Sequence, residues 1–351
     1  MAVLSYKCPN CGGELIFDPS SQQFKCEYCI TNYTQAEIEA LNPDSSSEDK
    51  IVEEQDDGTK EEVVLYTCPS CGAEIVTDST TVATFCYYCH NPVVLSGRIS
   101  GDFLPDSVIP FVLDKEVATN KFMEFVHKKK FIPTNFFNRN QIEKLSGVYF
   151  PYWLYDCEME SDISATGTNV RRWRQGDMQY TERKTYRVER SGGIRLKNIY
   201  KNALQKSNRK LAEGVFPYDM SAEKEFHMGY LSGFLAEKRD IEKANLEAEV
   251  REDAKEYGKD ILMDTINGYS SVVPNSEHHN IIFEKWRYTM LPVWTVTYPG
   301  KDGKTYFYSM NGQTGSVVGE LPVDNKKVYT FGAIMGVVTF VITMLGGLLI
   351  W

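Results

Sequence analysis

Cys8-Pro9-Asn10-Cys11 and Cys26-Glu27-Tyr28-Cys29 decide how the N-terminal part of this chain folds, because the pattern returns sixty positions later as Cys68-Pro69-Ser70-Cys71 and Cys86-Tyr87-Tyr88-Cys89. The echo extends to Tyr6/Tyr66, Gly12/Gly72, Glu14/Glu74 and Asp18/Asp78, and it accounts for eight of the nine cysteines. A CxxC pair turns two sulfurs toward one ion, and four thiolates complete a tetrahedral zinc shell with no open position. The metals are therefore expected to be structural. Gly12 and Gly72 suit a tight knuckle, since glycine tolerates positive φ. The segments Glu14–Phe17 and Glu74–Thr77 read as short strands. The expectation is two zinc ribbons with two Zn2+ ions, held by Cys8, Cys11, Cys26 and Cys29 and by Cys68, Cys71, Cys86 and Cys89. Disulfides are the alternative in an oxidising compartment, and iron is the alternative in a tetrahedral sulfur site. Cys157, the ninth cysteine, reads as a core thiol.

Working outward, residues 43–62 carry nine acids and two lysines and lack apolar periodicity, so they read as a solvated linker that lets two ribbons move independently. The chain of 351 residues has a net charge of −10, which argues against a protein that coats nucleic acid as its whole task. The ribbons themselves are poor in Lys and Arg, which favours protein contacts or a structural role. The first residues lack the apolar stretch of a secretory signal, so the expected surroundings are a reducing cytosol.

At the other end, Val328–Trp351 is twenty-four residues without a charge, enough for a bilayer core. Lys326 and Lys327 precede it, and positive residues stay on the cytoplasmic side. The expectation is a single-pass tail anchor in the cell membrane with the N-terminal domains facing the cytoplasm. Gly332 and Gly336 form a GxxxG that can pair such helices.

Between ribbons and tail the pattern is α+β. Asp114 caps a helix through about Lys129 with Ala118, Phe122, Phe125 and Val126 on one face. A strand-rich stretch runs from Val148 to about residue 200. A second helix is expected over about Leu235–Thr265, with a stripe at Leu246, Val250, Ala254, Tyr257 and Ile261. Strands are expected at 281–283, 289–298, 305–310 and 316–319, with His278 and His279 in an exposed turn. Phe150-Pro151-Tyr152-Trp153 and Leu291-Pro292-Val293-Trp294 echo one another, which suggests two related helix-plus-antiparallel-sheet units. The organisation expected is thus ribbon 1 (1–42), linker (43–62), ribbon 2 (63–98), a mixed helix-plus-antiparallel-sheet domain (99–325) and a membrane tail (326–351).

Residues 171–210 depart from the acidic background, with thirteen Lys or Arg against three acids and with Trp173, Tyr180, Tyr186 and Tyr200 interleaved. Arg171, Arg172, Arg174, Arg183, Lys184, Arg187 and Arg190 are candidate contacts for an anionic surface: lipid, acidic protein or nucleic acid. The bland reading is a single solvated face on exposed strands. No enzyme motif is complete: Gly303-Lys304-Thr305 ends like a phosphate loop, but Tyr298 stands where its first glycine belongs. The expectation is that the protein is not an enzyme.

Cys8-Pro-Asn-Cys-Gly-Gly-Glu-Leu15, Phe24–Cys29, Phe150–Cys157, Trp173–Asp177, Tyr230–Lys238 and Met310–Gly315 together resemble the bacterial TFIIB-type zinc-ribbon-containing proteins. The resemblance implies the eight knuckle cysteines as metal ligands and brings no catalytic residue. Some relatives carry primosomal, helicase-like labels. Others are encoded beside SPFH/flotillin-like proteins and phage-shock-protein-A-type envelope-stress proteins, which implies partners of those kinds. The expected function is a membrane-anchored zinc-ribbon adaptor in envelope stress. The rival is a nucleic-acid-binding, transcription- or replication-associated protein using residues 171–210.

Overall fold

The structure, a computed structural model, describes residues 6–41, 64–67, 74–77, 80–86, 92–95, 101–133, 145–205, 213–299 and 304–350. The acidic linker and the cysteines Cys68, Cys71 and Cys89 lie outside the described residues.

The fold is a mixture of helix and sheet. The first cysteine module holds strands β1 (Leu15–Asp18), β2 (Gln23–Cys26) and β3 (Asn32–Tyr33) and helix α1 (Gln35–Leu41). Strands β4 (Val64–Thr67) and β5 (Glu74–Thr77) pair with each other. They are followed by β6 (Thr81–Phe85), β7 (Pro92–Val94), β8 (Ser107–Val108) and helix α2 (Lys115–His127). Then come two very long strands, β9 (Ser146–Gln175) and β10 (Met178–Asn202), and the short β11 (Lys224–Glu225) and β12 (Leu235–Glu237). Helix α3 (Lys243–Asp264), strands β13 (Ser271–Pro299), β14 (Thr305–Asn311) and β15 (Val317–Gly319), and helix α4 (Asn325–Ile350) complete the chain. The large sheet has the order β11-β8-β13-β9-β12-β6-β7, with β10 beside β9 and β14 between β13 and β15.

The chain divides into two compact units. Unit 1 comprises residues 1–150, 206–238 and 290–351, and unit 2 comprises 151–205 and 239–289. Within unit 1, β6 pairs with both β12 and β7, and the first module is hydrogen-bonded to the segment around Ser232.

The two units share a local wiring that follows the sequence echo. In unit 1 the Gly312 amide donates to the Pro292 carbonyl (2.8 Å), and the Val112 and Leu113 amides donate to the Gly312 carbonyl (3.0 and 2.9 Å). In unit 2 the Ala203 amide donates to the Pro151 carbonyl (3.0 Å), and the Asp240 and Ile241 amides donate to the Ala203 carbonyl (3.0 and 3.1 Å). Trp294 Nε1 donates to the Leu113 carbonyl and Trp153 Nε1 to the Ile241 carbonyl, both at 2.9 Å. Each tryptophan thus satisfies its buried indole N–H on the residue just before a helix N-cap, Asp114 for α2 and Glu242 for α3. The Phe111 amide meets Tyr149 Oη (3.2 Å) and the Arg239 amide meets Tyr288 Oη (3.3 Å). Asn311 and Asn202 each accept from the amide two residues on. Phe111 and Arg239 occupy corresponding positions with different chemistry. Phe111 stacks on Phe234 (4.2 Å between centroids) against Tyr149 and Trp294. Arg239 lies over the Trp153 and Tyr288 rings and pairs with Glu242.

Several elements differ from the sequence reading. Helix α3 begins eight residues late, because Leu235 and Ala236 are taken into the sheet beside Val148 and Tyr149. Its buried stripe is Val250, Ala254, Gly258 and Leu262, while Tyr257 and Ile261 are exposed. Gly258 holds the stripe against the sheet, since a Cβ there would sit 2.9 Å from Met159 Sδ. The unit 2 core joins that stripe to Tyr155, Cys157, Met159, Ile163, Ile194 and Ile199. Strand β13 is continuous through residues 274–280, where a turn is expected; its neighbour β9 keeps it extended, and His279 Nδ1 lies 3.0 Å from Ser161 Oγ.

Helix α4 is long and apolar enough to cross a membrane, and its described side chains from Val328 to Met344 are exposed. Asp324 starts it, its carboxylate accepting from the Lys326 and Lys327 amides at 3.0 and 3.4 Å.

Candidate metal centre

Two knuckles bring the first four cysteines together. In the first, the Gly12 amide donates to the Cys8 carbonyl (2.8 Å) and the Cys8 amide to the Gly13 carbonyl (2.6 Å), with Gly12 at φ 73° as its position demands. In the second, the Ile30 amide donates to the Cys26 carbonyl (2.9 Å) and the Cys26 amide to the Thr31 carbonyl (3.0 Å). Here the left-handed residue is Ile30, at φ 60°, a conformation that costs a β-branched side chain about 1–2 kcal/mol. Antiparallel pairing of β1 with β2 sets Leu15 opposite Cys26 and so carries one knuckle to the other.

The sulfurs of Cys8, Cys11, Cys26 and Cys29 lie within 4.8 Å of one another, with Cys8–Cys29 at 3.5 Å and Cys11–Cys26 at 3.4 Å. A tetrahedral zinc with bonds of about 2.3 Å spaces its sulfurs about 3.8 Å apart, so the cluster fits one such ion. Cys8 and Cys26 are buried, Cys29 is half-buried and Cys11 faces solvent. The electrostatics also suit a cation. Thr31, whose hydroxyl lies 3.2 Å from the sulfur, brings the Cys29 thiol down to about 6. At Cys11 the Gly13 amide is the largest single influence and favours the thiolate, but the sulfurs of Cys26, Cys29 and Cys8 together with burial outweigh it and push the thiol up to about 12. Four thiolates cannot share this space without a positive ion to balance them.

Thr31 and Tyr33 are the functional neighbours that the cysteine spacing does not reveal. Tyr33 Oη is 3.4 Å from Cys8 Sγ, and that contact raises the phenol to about 12. Hydroxyls so placed orient and stabilise thiolate ligands. They belong to β3 and the residue before it, and no counterpart stands out in the second repeat.

The module is seated on the stretch that follows His227. Tyr230 packs between Phe17 (5.0 Å) and Phe24 (6.0 Å), and its hydroxyl donates to Gln35 Oε1 at 2.6 Å. The Phe17 amide donates to the Ser232 carbonyl (3.1 Å), and Ser232 Oγ returns a bond to the Leu15 carbonyl (2.6 Å). Gly229 allows this approach, because a Cβ there would meet the Phe24 ring at 2.8 Å.

In the second repeat, Cys86 is buried just after β6, and Cys68, Cys71 and Cys89, expected to join it, lie outside the described residues. Cys157 sits in the unit 2 core, where burial pushes its thiol up.

The basic candidates do not form one face. Register and strand alternation put Arg171, Lys184 and Arg190 on the side of β9 and β10 that carries Met159 and Ile163, whereas Arg172, Arg174, Arg183 and Arg187 point the other way. Arg171, Arg172, Arg174 and Arg183 cluster near the two-residue turn at Gly176 and Asp177, where the Trp173 and Tyr180 rings stack 5.6 Å apart with Arg171 over Trp173. Lys184 pairs with Glu182 and Arg187 with Glu189. An open depression of about 400 Å³ lined by Glu160, Asp162, His278 and Asn280 lies on the outer face of unit 2.

No family model matches the chain, and no solved structure matches it. It is 32% identical over 326 residues to "Uncharacterized protein YdjG" of Bacillus subtilis (strain 168), covering 93% of this chain and 92% of that protein. With that identity over nearly the whole of both chains, the protein belongs to the same family as YdjG.

Proposed function

We propose that the protein is a membrane-anchored adaptor whose N-terminal zinc ribbons and α+β units serve as docking surfaces for partner proteins on the cytoplasmic side. The observation that carries this reading is α4, an apolar helix exposed along its described side chains, joined directly to a folded head. An apolar surface of that size finds its stable place in lipid. Each ribbon takes one Zn2+, the second through Cys68, Cys71, Cys86 and Cys89. With four thiolates and no open position, zinc supplies folding stability rather than chemistry. By the family resemblance, partners of the SPFH/flotillin-like or phage-shock-protein-A type in an envelope-stress complex are the first to try, and pairing through Gly332 and Gly336 is a second association to test.

Truncation after Lys327 tests the anchor. The shortened chain is expected in the soluble fraction with two zinc equivalents by elemental analysis, whereas Cys26→Ser retains one. A truncated chain that membranes still hold after a high-salt wash, which screens any electrostatic contact, or a full chain that stays dissolved without detergent, would refute the reading. The rival, nucleic-acid binding through the arginine-rich turn, is favoured by the Trp173–Tyr180 stack beside Arg171. Salt-sensitive DNA or RNA binding lost in R171A/R172A/R174A would support it.

A further inference from the structure

Helix α2 is followed directly by three consecutive lysines, Lys128, Lys129 and Lys130, all exposed. In sequence they stand almost two hundred positions from the tail. In unit 1 they stand at its root. The Asp324 amide donates to the Phe131 carbonyl and Lys327 Nζ donates to the Ile132 carbonyl, both at 2.7 Å. The Phe131 ring packs on Phe331, in the second turn of α4, at 5.4 Å. The start of the apolar helix is thereby fastened to the residues that directly follow the lysines. Among the described residues, the fastening brings the segment carrying Lys128–Lys130, with the Lys129 ammonium over the Phe125 ring, to the end of α4 that carries Lys326 and Lys327; the acids close by in sequence are Asp324, whose carboxylate accepts from the α4 backbone, and Glu124 one turn back on α2. Tyr329, exposed on the first turns of α4, is a residue type that settles at a lipid–water boundary.

We propose that Lys128, Lys129 and Lys130 form a second membrane contact, binding the anionic phospholipid headgroups of the bilayer that α4 enters. This inference rests on the reading of α4 as a membrane span. Lysines held by a packed segment at the mouth of a span lie well within a Debye length of the headgroups, where each adds roughly fivefold to anionic-lipid attraction. The contact does a task the span alone cannot. It fixes the tilt and rotation of the head on the membrane, because it adds attachment points away from the helix axis.

The test uses the full chain reconstituted in bilayers of phosphatidylcholine with phosphatidylglycerol. Spin-labelled lipids of each headgroup report which lipid the protein holds at its surface. The wild type is expected to prefer phosphatidylglycerol, and K128Q/K129Q/K130Q to lower that preference by more than the roughly fivefold that one lysine supplies. The charge-keeping K128R/K129R/K130R should restore it, and salt should weaken it in the wild type. An unchanged preference in the glutamine variant overturns the inference. Alkaline washing of the same vesicles separates the two readings: a wild type that resists the wash while the glutamine variant keeps its preference refutes only the lysine contact. A wild type stripped by the wash refutes the span, and the lysine contact with it.

Discussion

Tyr230→Ala tests whether the first cysteine module is seated on unit 1 by aromatic packing rather than left free. Tyr230 is 2% exposed between the Phe17 and Phe24 rings, and it bonds Gln35 through its hydroxyl. Removing a buried aromatic ring costs about 3–5 kcal/mol where the site does not collapse. The lost hydrogen bond is part of that cost, at about 1 kcal/mol. The Phe17 amide reports the seat directly, since its acceptor is the Ser232 carbonyl of the docking segment. At about 1.4 kcal/mol per decade, protection of that amide from hydrogen exchange should fall by roughly two to three orders of magnitude in the alanine variant. Tyr230→Phe keeps the ring and should lose only about fivefold. The knuckle amides of Cys8 and Gly12 are closed within the module and should be unaffected in both variants when metal is supplied. Hydrogen exchange with peptide-level mass spectrometry on metal-loaded protein makes the comparison. Unchanged Phe17 protection in Tyr230→Ala would refute the packing argument. Loss of metal together with docking would refute the claim that the module's fold is separable from its seat.

Ile30→Gly should stabilise the metal-loaded module by up to about 1 kcal/mol, because it relieves a left-handed β-branched residue whose side chain is 71% exposed; resistance of metal release to chelator measures it. Trp153→Phe and Trp294→Phe should each cost about 1–2 kcal/mol in their own unit, since each strands one helix-anchoring carbonyl in the same wiring; unequal effects beyond about threefold would argue against equivalent roles. Unit 2 should lose stability on acidification in two stages. Burial holds His279 below its ordinary 6.5, so the folded state resists protonation there and stability drains as pH falls below about 6.5. Arg251 holds Glu284 below its ordinary 4.5, a contribution present above that value and lost as pH falls through the folded one. Denaturant midpoints across this range should show the first stage flatten in His279→Asn and the second in Glu284→Gln.

The cysteine spacing, the uncharged tail and the Pro-x-Trp echo were legible in the sequence because each is a local pattern with one physical consequence. Two CxxC pairs converge their sulfurs wherever they are placed, twenty-four uncharged residues make an apolar helix of spanning length, and a shared motif builds a shared turn. Tertiary structure alone decided the rest. Leu235 is a good helix residue that became a strand because Val148 offered a partner, and residues 274–280 stay extended beside β9 despite their turn-forming composition. Tyr230, Thr31, Tyr33 and Lys128–Lys130 carry no motif. Apart from Thr31, two positions from Cys29, what they are placed beside is set by contacts spanning from some twenty-five to two hundred positions, and no pattern within a window of sequence encodes that proximity.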